Sequence, residues 1–246
     1  MIFKAGIFDS GIGGLTVAKS IYQAKLFDEI IYFGDTARVP YGSKNESTII
    51  RYSLEALEFL KNFDINFLIT ACNSVSSCAL PELQKESNFP VVGVIEAGIK
   101  AVEQYAKKDD NILVIGTKAT INSKLYENGL KTNGYKNIIS IPTPLFVPIV
   151  EEGICSKSLI QEVFKLYFNH LNPEKIDILV LGCTHFPLIS SYLQDYFKNA
   201  KLIHSGEAIV ELLKNKFSLK EKKNTKIHFL SSENPTHLKE VAKKWF

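Results

Sequence analysis

The chain has 246 residues, of which 46% are hydrophobic and 22% charged, and its formal net charge is +3 at pH 7. This length allows one large or two small domains, and the composition excludes a disordered chain. The small net charge excludes a strongly basic nucleic-acid-binding protein, and the lysine-rich stretch 214–226 is typical of an exposed connection. We therefore expect no nucleic-acid partner.

Membrane and disulfide signals are missing from the sequence. Asp9 and the glycines after it interrupt any apolar region of a signal peptide, and no apolar run is long enough to span a membrane. The four cysteines, Cys72, Cys78, Cys155 and Cys183, have no C-x-x-C spacing, which predicts free thiols and no metal site. We expect a cytoplasmic protein with no membrane partner.

The first part of the chain alternates predicted strands and helices. A strand at 5–8 leads through the glycine-rich turn 9–14 into a helix, an arrangement that presents backbone N–H groups to an anion. The turn lacks the spacing of a dinucleotide-binding fingerprint. A strand at 30–33 then enters a polar loop at 34–43. The helix predicted at 46–62 has a buried apolar face formed by Ile50, Leu54, Leu57 and Leu60.

The end of this first block contains one of two similar cysteine motifs. A strand at 67–69 leads to Cys72, which is followed by hydrogen-bonding residues and a helix interrupted near Pro81. A strand at 91–94 follows, and Glu96 opens the helix at which we place the change of domain.

A second series of strands begins at 112–115 and leads into a small, hydroxyl-rich turn at 116–120. After a strand at 138–141, three prolines within 142–148 exclude regular structure there. The strand at 178–181 then leads to Cys183, in the same context as Cys72. The remaining predicted elements are helices at 159–171 and 189–197, a strand at 201–203, a helix that begins in 204–207, a strand at 227–230 and a final helix capped by Asn234.

These elements predict an α/β fold with two pseudo-symmetric, doubly wound domains and mainly parallel sheets. We expect residues 1–95 plus 207–246 in the first domain and 96–206 in the second. Open α/β sheets bind ligands at the carboxyl ends of their strands, so the active site is expected in the cleft between the domains. Each domain would supply one cysteine to it.

Two cysteines that face one small molecule can invert a stereocentre. A thiolate is a base and a thiol is an acid, and the pKa of a thiol falls at a helix N-terminus or beside a cation. If Cys72 and Cys183 lie on opposite faces of one carbon, one can remove a proton while the other donates one. A buried structural cysteine is the alternative interpretation for either residue.

Five ordered stretches carry a resemblance to a known family. They are Gly6-Ile7-Phe8-Asp9-Ser10-Gly11-Ile12-Gly13-Gly14, Gly34-Asp35-Thr36 through Pro40-Tyr41-Gly42, Ala71-Cys72-Asn73, Pro144-Leu145-Phe146-Val147-Pro148 and Gly182-Cys183-Thr184-His185-Phe186-Pro187. With these motifs the chain resembles, over nearly its full length, the cofactor-independent glutamate racemases of the aspartate/glutamate racemase superfamily.

The resemblance implies a reaction and a set of site residues. It implies interconversion of L- and D-glutamate, supply of D-glutamate for peptidoglycan, no pyridoxal phosphate or other cofactor, and a homodimer. Cys72 is expected to take the α-proton of D-glutamate and Cys183 that of L-glutamate. Asp9 and His185 would assist the neighbouring cysteines, and Glu151 is also implicated. The implied substrate contacts are Ser10, Tyr41, Gly42, Asn73, Ser74, Thr117, Thr120, Thr184 and His185.

Several alternatives stay open at this stage. Ser74 replaces the family's usual Thr but keeps the hydroxyl, so we expect this change to be tolerated. Residues 204–207 replace the family's Asp-Ser pair, so regulation and the geometry of the dimer are not predicted. Asp9 is also typical of a helix cap, and His185 of a structural histidine. The chain could be an aspartate or hydantoin racemase, a single-cysteine decarboxylase or isomerase, a non-catalytic binding protein or a redox sensor. Exchange of the α-hydrogen of glutamate in heavy water would separate a racemase from the last two.

Overall fold

Two parallel β-sheets organise the chain, and in both of them the buried apolar runs seen in the sequence form the central strands. The computed structural model describes residues 2–246, apart from the side chains of residues 244 and 245. The strands are β1 (Lys4–Asp9), β2 (Glu29–Gly34), β3 (Phe67–Thr70), β4 (Val91–Gly93), β5 (Ile112–Gly116), β6 (Ile138–Pro142), β7 (Ile178–Gly182), β8 (Lys201–His204) and β9 (Lys226–Ser231).

The helices alternate with these strands along the chain. They are α1 (Leu15–Gln23), α2 (Glu46–Lys61), α3 (Asn73–Cys78), α4 (Leu80–Glu86), α5 (Val94–Tyr105), α6 (Lys118–Asn122), α7 (Leu125–Thr132), α8 (Phe146–Glu151), α9 (Lys157–Phe168), α10 (Ser190–Tyr196), α11 (Ser205–Phe217) and α12 (Pro235–Trp245). Short 3-10 turns lie at Thr36–Arg38, Tyr41–Ser43, Pro173–Lys175 and Phe186–Ile189. No helix within residues 2–246 combines the length and the apolar character that crossing a bilayer requires.

The order of strands places both cysteine motifs at equivalent positions. One sheet has the order β4-β3-β1-β2-β9 and the other the order β6-β5-β7-β8, with parallel pairing throughout the described strands. Phe8 of β1 is paired with Thr70 of β3, and Gly116 of β5 with Gly182 of β7. The turns after these four strands therefore emerge side by side in each sheet. The predicted α/β class with mainly parallel sheets is confirmed.

Helices α5 and α11 join the two sheets. They pack against each other, α5 also packs on β7 and β8, and α11 packs on α1. One hydrophobic cluster consequently includes Ile7 and Ile69 of the first sheet together with Val114 and Val180 of the second. The strands fall into the two predicted sets, with β9 returning to the first sheet. The domain limits, 1–95 plus 207–246 and 96–206, stay a prediction, because α5 and α11 belong to a core that both sheets share.

Two local predictions differ from the structure. Residues 142–148 are not wholly irregular, because Pro142 ends β6 and Pro148 lies in the first turn of α8, where a backbone N–H has no partner within the helix. In α2 the fully buried residues are Ile49, Ser53, Ala56, Leu57 and Leu60, whereas Ile50 and Leu54 are half-buried at the edge of the core. The buried face is thus rotated from the one that the apolar spacing predicts.

Candidate active site

Cys72 lies between β3 and α3 and is almost enclosed by protein. Its side chain is 5% exposed, and its thiol donates a hydrogen bond to Ser10 Oγ at 3.5 Å. Burial raises the pKa of Cys72 to about 12, and the nearby charge of Asp9 contributes to this rise. The expectation that a helix N-terminus would lower this pKa is wrong, because burial outweighs the hydrogen bonds that favour the thiolate. Cys72 therefore holds its proton in the substrate-free protein.

Asp9 ends β1 and connects the glycine-rich turn to the second cysteine motif. Its Oδ2 accepts the backbone N–H groups of Gly11 and Gly14, both at 3.0 Å, and its Oδ1 accepts the hydroxyl of Thr184 at 3.3 Å. Burial raises the pKa of Asp9, against the opposing effects of His185 and of the two N–H groups. Asp9 thus closes the glycine-rich turn, whereas Gly14 stands at the N-cap of α1, which has no side-chain cap. The proposed assistance of Asp9 to Cys72 stays a prediction.

Cys183 follows β7 in surroundings that differ from those of Cys72. Its Sγ lies 3.7 Å from His185 Nδ1, and the other ring nitrogen of His185 is hydrogen-bonded to Glu151 Oε1 at the end of α8. Burial lowers the pKa of His185, but the hydrogen bonds to Cys183 and Glu151 outweigh it and raise this pKa to about 10. At neutral pH an imidazolium ion therefore lies against the sulfur of Cys183, and such a charge stabilises a thiolate.

The His185–Glu151 pair makes the stability of the fold depend on pH. Because the pKa of His185 is raised to about 10 in the folded protein, the folded state retains a proton that the unfolded chain releases near its usual pKa of about 6.5. This stabilisation is fully present below pH 6.5 and is lost as the pH rises to 10. We expect the difference in unfolding free energy between the wild type and His185→Gln to shrink over this interval, as measured by urea denaturation.

The control for this measurement is His170→Gln, because His170 is exposed. The difference in unfolding free energy between His170→Gln and the wild type should stay constant with pH. If this difference were also constant for His185→Gln, the folded protein would not hold the proton of His185 more tightly than the unfolded chain does.

The remaining hydroxyl and amide candidates make two sets of contacts between segments that follow different strands. Ser74 Oγ lies 2.9 Å from Thr117 Oγ1, which lies 3.1 Å from Thr120 Oγ1. Asn73 Nδ2 donates to Ser205 Oγ at 3.4 Å. All of these side chains are buried. The structure thus brings the predicted contacts of both cysteine motifs to one place, although their contacts with a substrate stay a prediction.

Tyr41 is placed differently from the other predicted contacts. Its ring is buried against Phe8 and Tyr52, and its hydroxyl donates to Asp35, which also pairs with Arg38. Asp35 therefore anchors the turn that carries Tyr41, and the Tyr41 side chain is committed to the core. Any contact of Tyr41 with a substrate would have to come from its backbone.

Gly42 lies where the 3-10 turn Tyr41–Ser43 meets the second sheet. A β-carbon at this position would overlap the β-carbon of Thr117, which cannot move without its backbone. We expect Gly42→Ala to lower the free energy of unfolding by about 1–3 kcal/mol, the usual cost of overpacking, in chemical denaturation. In the control Gly129→Ala the new carbon meets only the flexible end of Ile99, within helix α7. An equal loss in both variants would contradict this interpretation of Gly42.

Two residues of this site were not identified as candidates from the sequence. Tyr126 of α7 donates its hydroxyl to Asn73 Oδ1 at 2.9 Å, and Ser205 accepts from the same amide. In the sequence, Ser205 is only one of residues 204–207, which replace the family's Asp-Ser pair. Tyr126 has no local signal, because its partner lies 53 positions earlier in the chain.

The two thiols of this site differ in their electrostatic surroundings. The thiol of Cys72 is hydrogen-bonded to Ser10, and Thr184, the neighbour of Cys183, is hydrogen-bonded to Asp9, so the two cysteine motifs meet at residues 9 and 10. One thiol keeps its proton and the other has an imidazolium ion at its sulfur. Such a pair suits proton transfer at a carbon atom.

Comparisons with known proteins agree with this chemistry. The family model described as Asp/Glu/Hydantoin racemase matches residues 19–213. The chain is 55% identical over 245 residues to a glutamate racemase of a Nitratiruptor species, covering 98% of this chain and 96% of that protein. It is 50% identical over 245 residues to a glutamate racemase of Campylobacter jejuni, covering 98% and 97% of the two chains.

Solved structures with the same fold give the same result. A crystal structure of glutamate racemase from Campylobacter jejuni superimposes with a TM-score of 0.95 at 50% identity, over 99% of this chain and 98% of that one. A structure of glutamate racemase from Francisella tularensis in complex with D-glutamate has a TM-score of 0.86 at 34% identity, over 99% and 93%. The resemblance that the motifs indicated is confirmed, and the chain belongs to the Asp/Glu/hydantoin racemase family.

Proposed function

We propose that this protein interconverts L- and D-glutamate by proton transfer at the α-carbon, with Cys183 and Cys72 as the two acid–base groups. The observation that carries the proposal is the pair of buried cysteines, each at the carboxyl end of a central strand and each with its own charged neighbours. The relatives named glutamate racemase support glutamate as the substrate.

The two thiols would begin the reaction in different electrostatic surroundings. Cys183, beside the His185 imidazolium, would remove the α-proton of L-glutamate as a thiolate. Cys72, which keeps its proton, would donate it to the resulting carbanion from the opposite face of the α-carbon. This protonation would give D-glutamate. In the reverse direction the two cysteines exchange roles.

The hydroxyl and amide groups around the thiols suit a dicarboxylate amino acid. Carboxylates are bound by hydrogen-bond donors, and charge-assisted bonds of this type are the strong ones. The groups available are Ser10, Asn73, Ser74, Thr117, Thr120 and Thr184, all buried in the site. Because Cys72 and Cys183 are only 5% and 6% exposed, we infer that a substrate enters when the two halves move apart.

The wider role follows from this reaction and from the family. We propose that the protein supplies D-glutamate for peptidoglycan, acts in the cytoplasm, and forms a homodimer. All four cysteines are free thiols, as expected for a protein of a reducing compartment. Light scattering of the purified protein tests the dimer.

The test of the reaction is circular dichroism of L- and D-glutamate incubated with the purified, reduced protein in heavy water. We expect both enantiomers to approach the racemate and to acquire deuterium at the α-carbon, without added pyridoxal phosphate and in the presence of a metal chelator. Faster turnover of aspartate would favour another racemase of the family. The absence of both optical change and deuterium uptake would contradict the proposal.

A further inference from the structure

Tyr126 touches the segments that carry both thiols, although it belongs to neither motif. It lies in α7, is 3% exposed, and its hydroxyl donates to Oδ1 of Asn73 at 2.9 Å. Asn73 is the residue directly after Cys72. The hydroxyl thus reaches from the second sheet's helices to the cysteine motif of the first.

The ring of Tyr126 packs against the other motif. A β-carbon on Gly182, the residue directly before Cys183, would lie 3.4 Å from Cε2 of this ring. On the opposite side, a β-carbon on Gly98 of α5 would lie 2.8 Å from the hydroxyl oxygen and 2.9 Å from Cε1. A side chain at Gly98 would therefore displace the ring. Tyr126 fills the space between α5 and the strand that ends at Gly182.

The amide of Asn73 is held from two sides. Its Oδ1 accepts from Tyr126, and its Nδ2 donates to Ser205 Oγ at 3.4 Å at the start of α11. All three side chains are buried. An amide has two N–H donors and two lone pairs on its oxygen, so these two bonds use half of its hydrogen-bonding capacity.

We propose that Tyr126 is a positioning residue for the racemase reaction, which fixes the Asn73 amide beside Cys72 through its hydroxyl and supports the turn that carries Cys183 through its ring, packed against Gly182. This inference deepens the proposed function and rests on it. The hydroxyl governs how the Asn73 amide holds an amino acid, and the ring governs where the turn after Gly182 places Cys183.

These two contributions predict different kinetic effects. Tyr126→Phe keeps the ring but leaves Asn73 Oδ1 without its donor, so KM for both enantiomers of glutamate should rise about tenfold, the effect of losing one buried hydrogen bond, while kcat changes by less than about threefold. Tyr126→Leu also removes the ring, so its kcat should fall as well. A merely structural role would lower the melting temperature in both variants without this separation of KM from kcat.

A double-mutant cycle tests whether Tyr126 acts through Asn73. Asn73→Ala alone and Asn73→Ala combined with Tyr126→Phe should have the same kcat/KM within about twofold. Tyr135→Phe is the matched control, because Tyr135 is also buried and bonds its hydroxyl to the carbonyl of Ala106. It should leave KM and kcat unchanged.

Two results would overturn the inference. One is an unchanged KM for Tyr126→Phe in a protein that racemises glutamate. The other is a loss of kcat/KM in the double mutant that equals the product of the losses in the two single mutants. The same cycle measured by urea unfolding tests the Tyr126–Asn73 contact without turnover, so failure of the wild type to racemise glutamate would count only against the proposed function. If Tyr126→Leu does not fold, Gly98→Ala tests the ring instead and should lower kcat, because its new carbon displaces the ring. Ser205→Ala tests the amide and should raise KM alone, because it removes the other partner of Asn73.

Discussion

Replacing either Cys72 or Cys183 with serine is expected to slow the racemisation of glutamate by at least 10²–10⁴-fold, the range typical of losing a positioned general acid or base. A serine hydroxyl is too weak an acid and too weak a base to replace a thiol. Both directions should slow equally in kcat/KM, because two enantiomers have the same free energy. Polarimetry with each enantiomer measures these rates.

A partial reaction separates the roles of the two thiols. An analogue of glutamate with a good leaving group at the β-carbon undergoes elimination after the α-proton is removed, and needs no proton from the other face. Cys72→Ser should therefore keep elimination of the L form, and Cys183→Ser that of the D form. The leaving group can be followed by its release into solution.

The chain contains its own controls for this experiment. Cys78 and Cys155 are free thiols outside the site, so Cys78→Ser and Cys155→Ser should racemise glutamate at the wild-type rate. Nearly equal loss of elimination for both enantiomers in both active-site variants would contradict the assignment of one face to each thiol. It would favour a single shared base or a structural role for the two cysteines.

The positions of the two cysteines could be predicted from the sequence because the information is local. Residues 67–69 and 178–181 are short apolar runs followed by small and polar residues, and such runs form buried parallel strands whose carboxyl ends meet at one edge of a sheet. The strands β3 and β7 end as this pattern predicts. The apolar residues at 227–230 likewise predict the strand β9.

The electrostatics of the site could not be predicted in the same way. A helix N-terminus suggested a lowered pKa for Cys72, but the degree of burial and the position of Asp9 depend on how the two sheets close together. The His185–Glu151 pair joins residues that are 34 positions apart, and Tyr126 meets Asn73 over a still larger separation. The hydroxyl of Tyr41 is bound to Asp35, which no spacing rule indicates. These features depend on tertiary contacts rather than on local pattern.

The charge of His185 is expected to act on only one of the two half-reactions. Its imidazolium lies against the sulfur of Cys183 and is held there by Glu151, whereas the thiol of Cys72 is hydrogen-bonded to Ser10. His185→Gln removes this positive charge but leaves both thiols in place. Racemisation should slow about 10²-fold, the lower end of the effect of removing one stabilising group from an active site.

Racemisation alone cannot locate this effect, because kcat/KM must change equally in both directions. Elimination from the β-substituted analogue can locate it. His185→Gln should slow elimination of the L form, whose proton goes to Cys183, about 10²-fold, and should affect elimination of the D form much less. In the wild type, elimination of the L form should also fall as the pH rises through about 10, where His185 loses its proton. His170→Gln should leave both reactions unchanged, since His170 is exposed. Equal slowing of the two forms by His185→Gln would mean that the charge acts on the whole site rather than through Cys183.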